Sequence, residues 1–237
     1  MISKSKYSIP FFEFEIFRDF RGVLRHAVFT RKTKPENTRS IQKILNTKAK
    51  PIFFKNQLHG IETVAIKKGS TLASLDRGIN CLGDIFMTNL KEIPLGIRIA
   101  DCASILLFDP MKRVIANIHA GWKGLAKRII RHAIKQMAEK FDSKPENIFA
   151  GISPMLGVCC SSFSNPEIEL PKFLHNYIAE ENHVNLWAIA ESHLRECGVK
   201  QAHIENPRIC TFCNPEHFNS FRRDKTDERF CTVIMLR

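Results

Sequence analysis

The chain has 237 residues, 44% hydrophobic and 25% charged, with 36 Lys and Arg against 24 Asp and Glu for a net charge of +12. A chain this long buries about 70% of its extended surface in one domain without staples, and no uncharged apolar run approaches the length that spans a bilayer. The basic balance would suit nucleic acid, an anionic membrane or a small anion, but the Lys and Arg are spread along the chain. No segment reads as a basic recognition helix or an aromatic-basic strand pair, which disfavours nucleic acid and leaves a solvated surface or a phosphate-handling pocket.

In chain order, residues 11–17 and 24–30 alternate or run apolar and read as strands, and residues 38–45 read as a helix opening near Pro35-Glu36-Asn37. Residues 50–55 and 61–67 are extended runs on either side of a His59-Gly60 turn. A short strand is expected over 84–88, and two more over 95–100 and 104–108 bracket Asp101-Cys102, with a turn at Asp109-Pro110. Residues 113–119 read as a buried strand that Gly121 breaks. Helical spacing follows over 123–141 (Leu125, Ile129, Ile130, Ala133, Ile134, Met137) with a basic outer face. Another strand is expected over 147–152, then helices over 167–179 and 185–197, the second stopping at Gly198. Residues 199–204 and 229–236 read as strands. No repeat, low-complexity tract or long linker intervenes, so residues 1–237 are expected to form a single α/β domain, α+β by some criteria.

Eight cysteines stand at 81, 102, 159, 160, 197, 210, 213 and 231. Residues 1–7 are polar and basic, and the next apolar stretch is broken by Glu13, Glu15, Arg18 and Asp19, so no secretory leader is expected. A cytoplasmic location and free thiols follow as expectations. Cys210-Thr211-Phe212-Cys213 is a C-x-x-C pair, yet no second pair stands at zinc-ribbon spacing, so it is read as ordinary thiols before a metal or redox site.

Three segments carry the chemistry: Gln57-Leu58-His59-Gly60, Ala100-Asp101-Cys102 and Ile118-His119-Ala120-Gly121-Trp122. Each ends an apolar run with a donor for a soft or borderline divalent ion. Two imidazoles and one thiolate leave zinc an open fourth position, the pattern of catalytic sites. The thiolate favours zinc or copper over magnesium or calcium. Asp101, beside Cys102, is placed to orient an imidazole or to act on a proton itself. Spacing alone leaves the plainer alternative open, in which the histidines are satisfied core or surface groups and Cys102 is a small buried hydrophobe.

These segments, QLHG, ADCASILLFDP and HAGWKG, resemble the signatures of the multicopper polyphenol oxidoreductase (laccase-domain) family, whose members are better described as multifunctional purine nucleoside phosphorylases. HAVFTR, DIFMTN, GISPMLGVCC and the C-terminal CT, FNSFRRD and R extend the match from about residue 22 to 236. The resemblance implies a compact α/β/α domain like the cytotoxic necrotising factor catalytic domain, with a metal triad at His59, Cys102 and His119. It implies phosphorolysis of adenosine, inosine, guanosine and methylthioadenosine, and deamination of adenosine, with purine nucleosides and phosphate as partners and a monomer or homodimer as the working form. Zinc is the expected ion, with copper as an alternative occupant. Within the motifs, Arg222 and Arg223 are the candidates for phosphate, since a guanidinium fork grips its oxygens in two places. Arg31 is a second phosphate candidate, and Asp101 and Gln57 are candidates for proton handling or purine contacts.

The chain departs from the family pattern at Lys32-Thr33-Lys34-Pro35, where a glycine-rich stretch is expected, and at 151–163, where an aromatic-acid pair is missing. Two other functions compete. A copper-dependent polyphenol oxidase would need several linked copper sites, whereas this chain has nine His in all, most outside metal-like contexts. A catalytically weakened scaffold binding through its basic surface would explain the altered loops.

Overall fold

Unbroken apolar runs mark strands covered on both faces, and two such strands lie at the centre of this molecule. The computed structural model describes residues 1–69 and 81–237. Its strands are β1 (Ile2–Lys6), β2 (Ile9–Glu13), β3 (Leu24–Phe29), β4 (Ile52–Phe53), β5 (Thr63–Ile66), β6 (Ile85–Thr88), β7 (Leu95–Ile99), β8 (Ala103–Asp109), β9 (Val114–Ala120), β10 (Phe149–Ile152), β11 (Ile204–Glu205) and β12 (Phe230–Leu236). Its α-helices are α1 (Thr38–Leu45), α2 (Trp122–Ala126), α3 (Ile129–Phe141), α4 (Pro166–Glu169), α5 (Leu186–Glu196) and α6 (Phe221–Asp224). One six-stranded sheet runs β1-β2-β3-β12-β7-β4 and the other β11-β10-β8-β9-β6-β5.

The two sheets stack, and the apolar layers explain why. Phe12, Val28, Leu95, Ile97 and Ile234 of the first sheet meet Phe86, Leu106, Phe108 and Ile115 of the second. The opposite face of the second sheet, with Ile105, Leu107, Ala116 and Ile118, takes the apolar stripes of α3 and α5. The outer face of the first sheet, with Ala27, Phe29 and Val233, takes Ile41, Ile44 and Leu45 of α1. Every residue of β8, β9 and β12 is therefore buried. Helices cover both outer faces of an α/β fold as expected, while the middle of the α/β/α arrangement is two sheets deep.

Several elements fall where the sequence places them, and others differ for identifiable reasons. α1 starts on the Asn37 cap, whose side chain accepts from Ser40 N at 3.2 Å. Residues 14–17 are no strand: Glu15–Phe20 is a 3₁₀ turn that buries Phe17, and inward-facing aromatics at 12, 14 and 17 imitate strand alternation. The 123–141 stretch is two helices, because Arg128 takes a left-handed conformation (φ 57°) between α2 and α3. That break lets Leu125 and the Ile129–Met137 stripe reach one apolar layer. The helix expected over 167–179 is split at Pro171, which has no N–H to continue it. Residues 201–203 form a 3₁₀ turn and leave only Ile204–Glu205 as strand, and Pro145–Asn147 likewise trims the 147–152 strand. β1 was not expected, because its polar ISKSK sequence suits an exposed edge.

A buried polar cluster ties the two sheets together. Ser104 Oγ donates to Asn117 Oδ1 at 2.6 Å and lies 2.5 Å from Thr232 Oγ1, while Asn117 Nδ2 donates to the Leu95 carbonyl at 3.0 Å. Ser104 and Asn117 belong to the second sheet, Thr232 and Leu95 to the first. Thr232→Val keeps the shape and strips the hydroxyl, leaving partners unsatisfied in a dry interior. It should cost about 1–3 kcal/mol in urea unfolding, with the far-UV spectrum unchanged; an unaltered midpoint would show that the cluster does not hold the sheets.

Candidate functional site

Strand register brings the candidate ligands to one end of the second sheet. β6 pairs with β9 so that Ile85 faces Ile118, which sets Asp84 opposite His119. The ladder continues past the strand end, where His119 N donates to the Asp84 carbonyl at 2.7 Å. β8 pairs with β9 so that Ala103 faces Ala120, which sets Cys102 against Gly121. β5 runs parallel to β6, so the loop carrying His59 arrives at the same edge after crossing from β4 in the other sheet.

A buried carboxylate fixes the constellation. Asp84 accepts from the backbone N–H groups of Leu58 (3.1 Å), His59 (2.9 Å) and Gly60 (2.8 Å), and its Oδ1 lies 2.8 Å from His119 Nδ1. His59 is held in the left-handed region at φ 57°. With Nδ1 of His119 on the carboxylate, Nε2 is the nitrogen left for a metal. One ligand atom from each of His59, Cys102 and His119 lies within 4.8 Å of the others. The two imidazole rings meet edge to face, with centroids 4.7 Å apart. Glycine is required at 121, because a Cβ there would stand 2.7 Å from Cys102 Sγ and 3.3 Å from His59 Cδ2.

The electrostatics match a ligand set. Burial opposes charge on Cys102, yet the His119 charge and hydrogen bonds from His119 and His59 prevail and bring the thiol down to about 6. Burial likewise opposes charge on His119, but the Cys102 thiolate and then Asp84 raise it to about 9. Both shifts favour a Cys102 thiolate beside a charged His119, and a bound divalent ion would take the place of the imidazolium proton. The donor set of two imidazoles and one thiolate fits zinc and leaves an open coordination position.

The other sequence candidates divide. Asp101 (φ 87°) stands beside Cys102, its Oδ1 accepting from Thr211 Oγ1 at 2.7 Å and its Oδ2 from Arg222 N at 2.7 Å. Arg222 is therefore brought to the triad's neighbourhood, with Nη1 on Ser162 O and Oγ at 2.8 and 2.9 Å. Arg223 departs from its expected phosphate role. All five of its N–H donors are engaged, on Asp224, Thr211 O, Phe212 O and Phe218 O. It braces the 211–224 loop and keeps no N–H donor free for an anion. Gln57 pairs with the Arg98 backbone through both ends of its amide, at 2.8 and 3.0 Å, and so anchors the His59 loop to β7. Arg31 lines a cleft of about 400 Å³ with Lys34, Lys55, Arg98 and Arg229, to which none of the triad contributes. Asp84 went unmarked in the sequence; its one visible signal is a lone acid opening the apolar DIFMT run.

The sign of the pH dependence follows from these shifts. In chelated protein, Cys102 adds stability that is complete above its ordinary 9.0 and is lost as pH falls through about 6. His119 adds stability that is complete below 6.5 and is lost as pH rises through about 9. Iodoacetamide labelling of Cys102, mapped by peptide mass spectrometry, should have its midpoint near 6, and Asp84→Asn should move it upward. Asp84→Asn should also weaken zinc binding about 10- to 100-fold. A wild-type midpoint near 9 would contradict the ion-pair geometry.

Comparisons with known proteins show the family and the fold of this chain. Residues 30–237 match the family described as multi-copper polyphenol oxidoreductase laccase. A protein of Aquifex aeolicus named purine nucleoside phosphorylase is 34% identical over 65% of this chain and 71% of its own. Another, from an unknown prokaryotic organism and named adenosine deaminase RL5, is 30% identical over 59% of this chain and 56% of its own. The crystal structure of YlmD from Geobacillus stearothermophilus superposes with a TM-score of 0.82 at 20% identity, covering 100% of this chain and 99% of that one, which shows the shared fold. With the family match spanning all but the first 29 residues, the chain belongs to the multi-copper polyphenol oxidoreductase laccase family.

Proposed function

We propose that this protein is a zinc-dependent purine nucleoside phosphorylase, acting on adenosine, inosine, guanosine and S-methyl-5′-thioadenosine, that also deaminates adenosine. The observation that carries the proposal is the convergence of His59, Cys102 and His119 within 4.8 Å behind a carboxylate that fixes the His119 tautomer. The relatives named purine nucleoside phosphorylase and adenosine deaminase supply the substrate class. The polyphenol-oxidase reading finds less support, since among the described residues only two histidines gather into a ligand group.

His59, Cys102 and His119 would hold the ion. When bound, it supplies Lewis acidity and a water acidified toward neutral pH, the chemistry that displacing an amino group from a purine requires. The remaining work falls to side chains. Asp84 keeps His119 oriented and the 58–60 backbone in place. Asp101, tethered by Thr211 and the Arg222 backbone, is the group for proton handling beside the purine. The Arg222 guanidinium is the anchor for phosphate, whose oxygen attacks the anomeric carbon as the glycosidic bond breaks and the base departs with the bonding electrons. Its cationic fork holds the anionic nucleophile next to a sugar carbon that develops positive charge.

Purified protein incubated with adenosine or inosine, each with and without phosphate, tests the proposal. Free base should form only with phosphate, and inosine should form from adenosine without it. His59→Ala and Cys102→Ala should stay folded and lose about 100-fold or more in kcat/KM. Arg222→Ala should raise the KM for phosphate about tenfold or more while sparing deamination. Absence of turnover in zinc-loaded protein would favour the binding scaffold, and full activity in either ligand variant would sink the metal assignment.

A further inference from the structure

A second thiol-rich cluster lies outside the triad. The C-x-x-C pair at 210 and 213 does not stand alone, because the fold carries the adjacent Cys159 and Cys160 to it from fifty residues away. Met155 bridges Cys210 in parallel: its N–H donates to Ile209 O at 3.2 Å and its carbonyl accepts from Thr211 N at 3.0 Å. Cys159 Sγ lies 3.7 Å and Cys160 Sγ 3.5 Å from Cys213 Sγ, and all four sulfurs lie within 4.8 Å of one another. A tetrahedral zinc with bonds of about 2.3 Å sets its sulfurs about 3.8 Å apart, close to both distances. A disulfide needs about 2.05 Å, and all four cysteines are free thiols.

We propose that Cys159, Cys160, Cys210 and Cys213 form a second metal site, a closed structural zinc centre distinct from His59, Cys102 and His119.

The surroundings are those of a thiolate cage. Four protein sulfurs fill a tetrahedron and leave no position for water, which is the structural pattern of zinc. Sulfur donors in this geometry select zinc over harder cations, and the span of one ion leaves no room for a cluster of several. Gly157 N donates to Cys210 Sγ at 3.3 Å. Glycine is required at 157, since a Cβ would stand 2.5 Å from the Trp187 ring and 3.0 Å from Cys210 Cβ. The Arg223 guanidinium grips the carbonyls of Thr211 and Phe212 between the two C-x-x-C sulfurs, placing a positive charge against the surplus negative charge of four thiolates. Binding releases the thiol protons as the ion replaces them. The bound ion would staple the 157–160 turn to the 210–213 turn, and Thr211, inside that staple, is the residue that holds Asp101.

Native mass spectrometry of the full chain, purified under reducing conditions without chelator, counts zinc per molecule. The wild type should carry two, Cys213→Ser one, His119→Ala one and the double variant none. Cys159→Ser, at an exposed position, provides an independent loss of the same ion if Cys213→Ser does not fold. Cobalt-substituted wild type should show a sulfur-to-cobalt charge-transfer band that keeps most of its intensity in His119→Ala and falls to the single-thiolate contribution of the Cys102 site in Cys159→Ser. A wild-type chain with one zinc, lost in His119→Ala and kept in Cys159→Ser, would overturn the proposal. So would two zinc ions unaffected by either cysteine variant. The count does not depend on turnover, so failure here is distinct from failure of the assigned activity.

Discussion

The Asp84 carboxylate is the constraint on which the site depends. It is fully buried, where an unpaired charge would be costly, and four hydrogen bonds satisfy it: three from successive backbone N–H groups at 58–60 and one with His119. Those donors outweigh the desolvation that would otherwise raise its pKa, which is lowered instead. One side chain therefore sets the backbone path that delivers His59, the tautomer of His119, and the charge balance that favours the Cys102 thiolate. Removing it would loosen all three ligands at once.

The two-sheet core turns that local constraint into a rigid frame. β8 and β9 are covered on both faces, so the residues at their ends cannot shift without disturbing two apolar layers. Cys102 and His119 inherit their separation from the β8–β9 register. Around them, interactions from distant segments build a second ring. Thr211 and the Arg222 backbone hold Asp101, and Arg223 braces the loop that carries both.

Much of this was legible in the residues themselves. The Asn37 cap marks α1, the unbroken apolar runs mark β8 and β9, and Cys102 and His119 stand at ends of those runs while His59 precedes Gly60 in a polar turn. What was hidden depends on long-range contact. Inward-facing aromatics at 12, 14 and 17 look like a strand until His26 accepts from Phe14 N and the chain turns. Arg223 looks like a phosphate ligand until its five donors are traced to their acceptors. Asp84 looks like a strand opener, and only the pairing of β6 with β9 reveals what it holds. The cysteines at 159 and 160 gain meaning only when the fold sets them against 210 and 213.

The central claim is that three side chains converge on one ion and leave it open to substrate. Anomalous diffraction at the zinc absorption edge, from crystals of protein purified without added metal, tests it most directly. The account predicts a peak bonded to a nitrogen of His59, Nε2 of His119 and the sulfur of Cys102, with at least one position not taken by protein. No peak among those three residues, or an ion there closed by a fourth protein ligand, would contradict it.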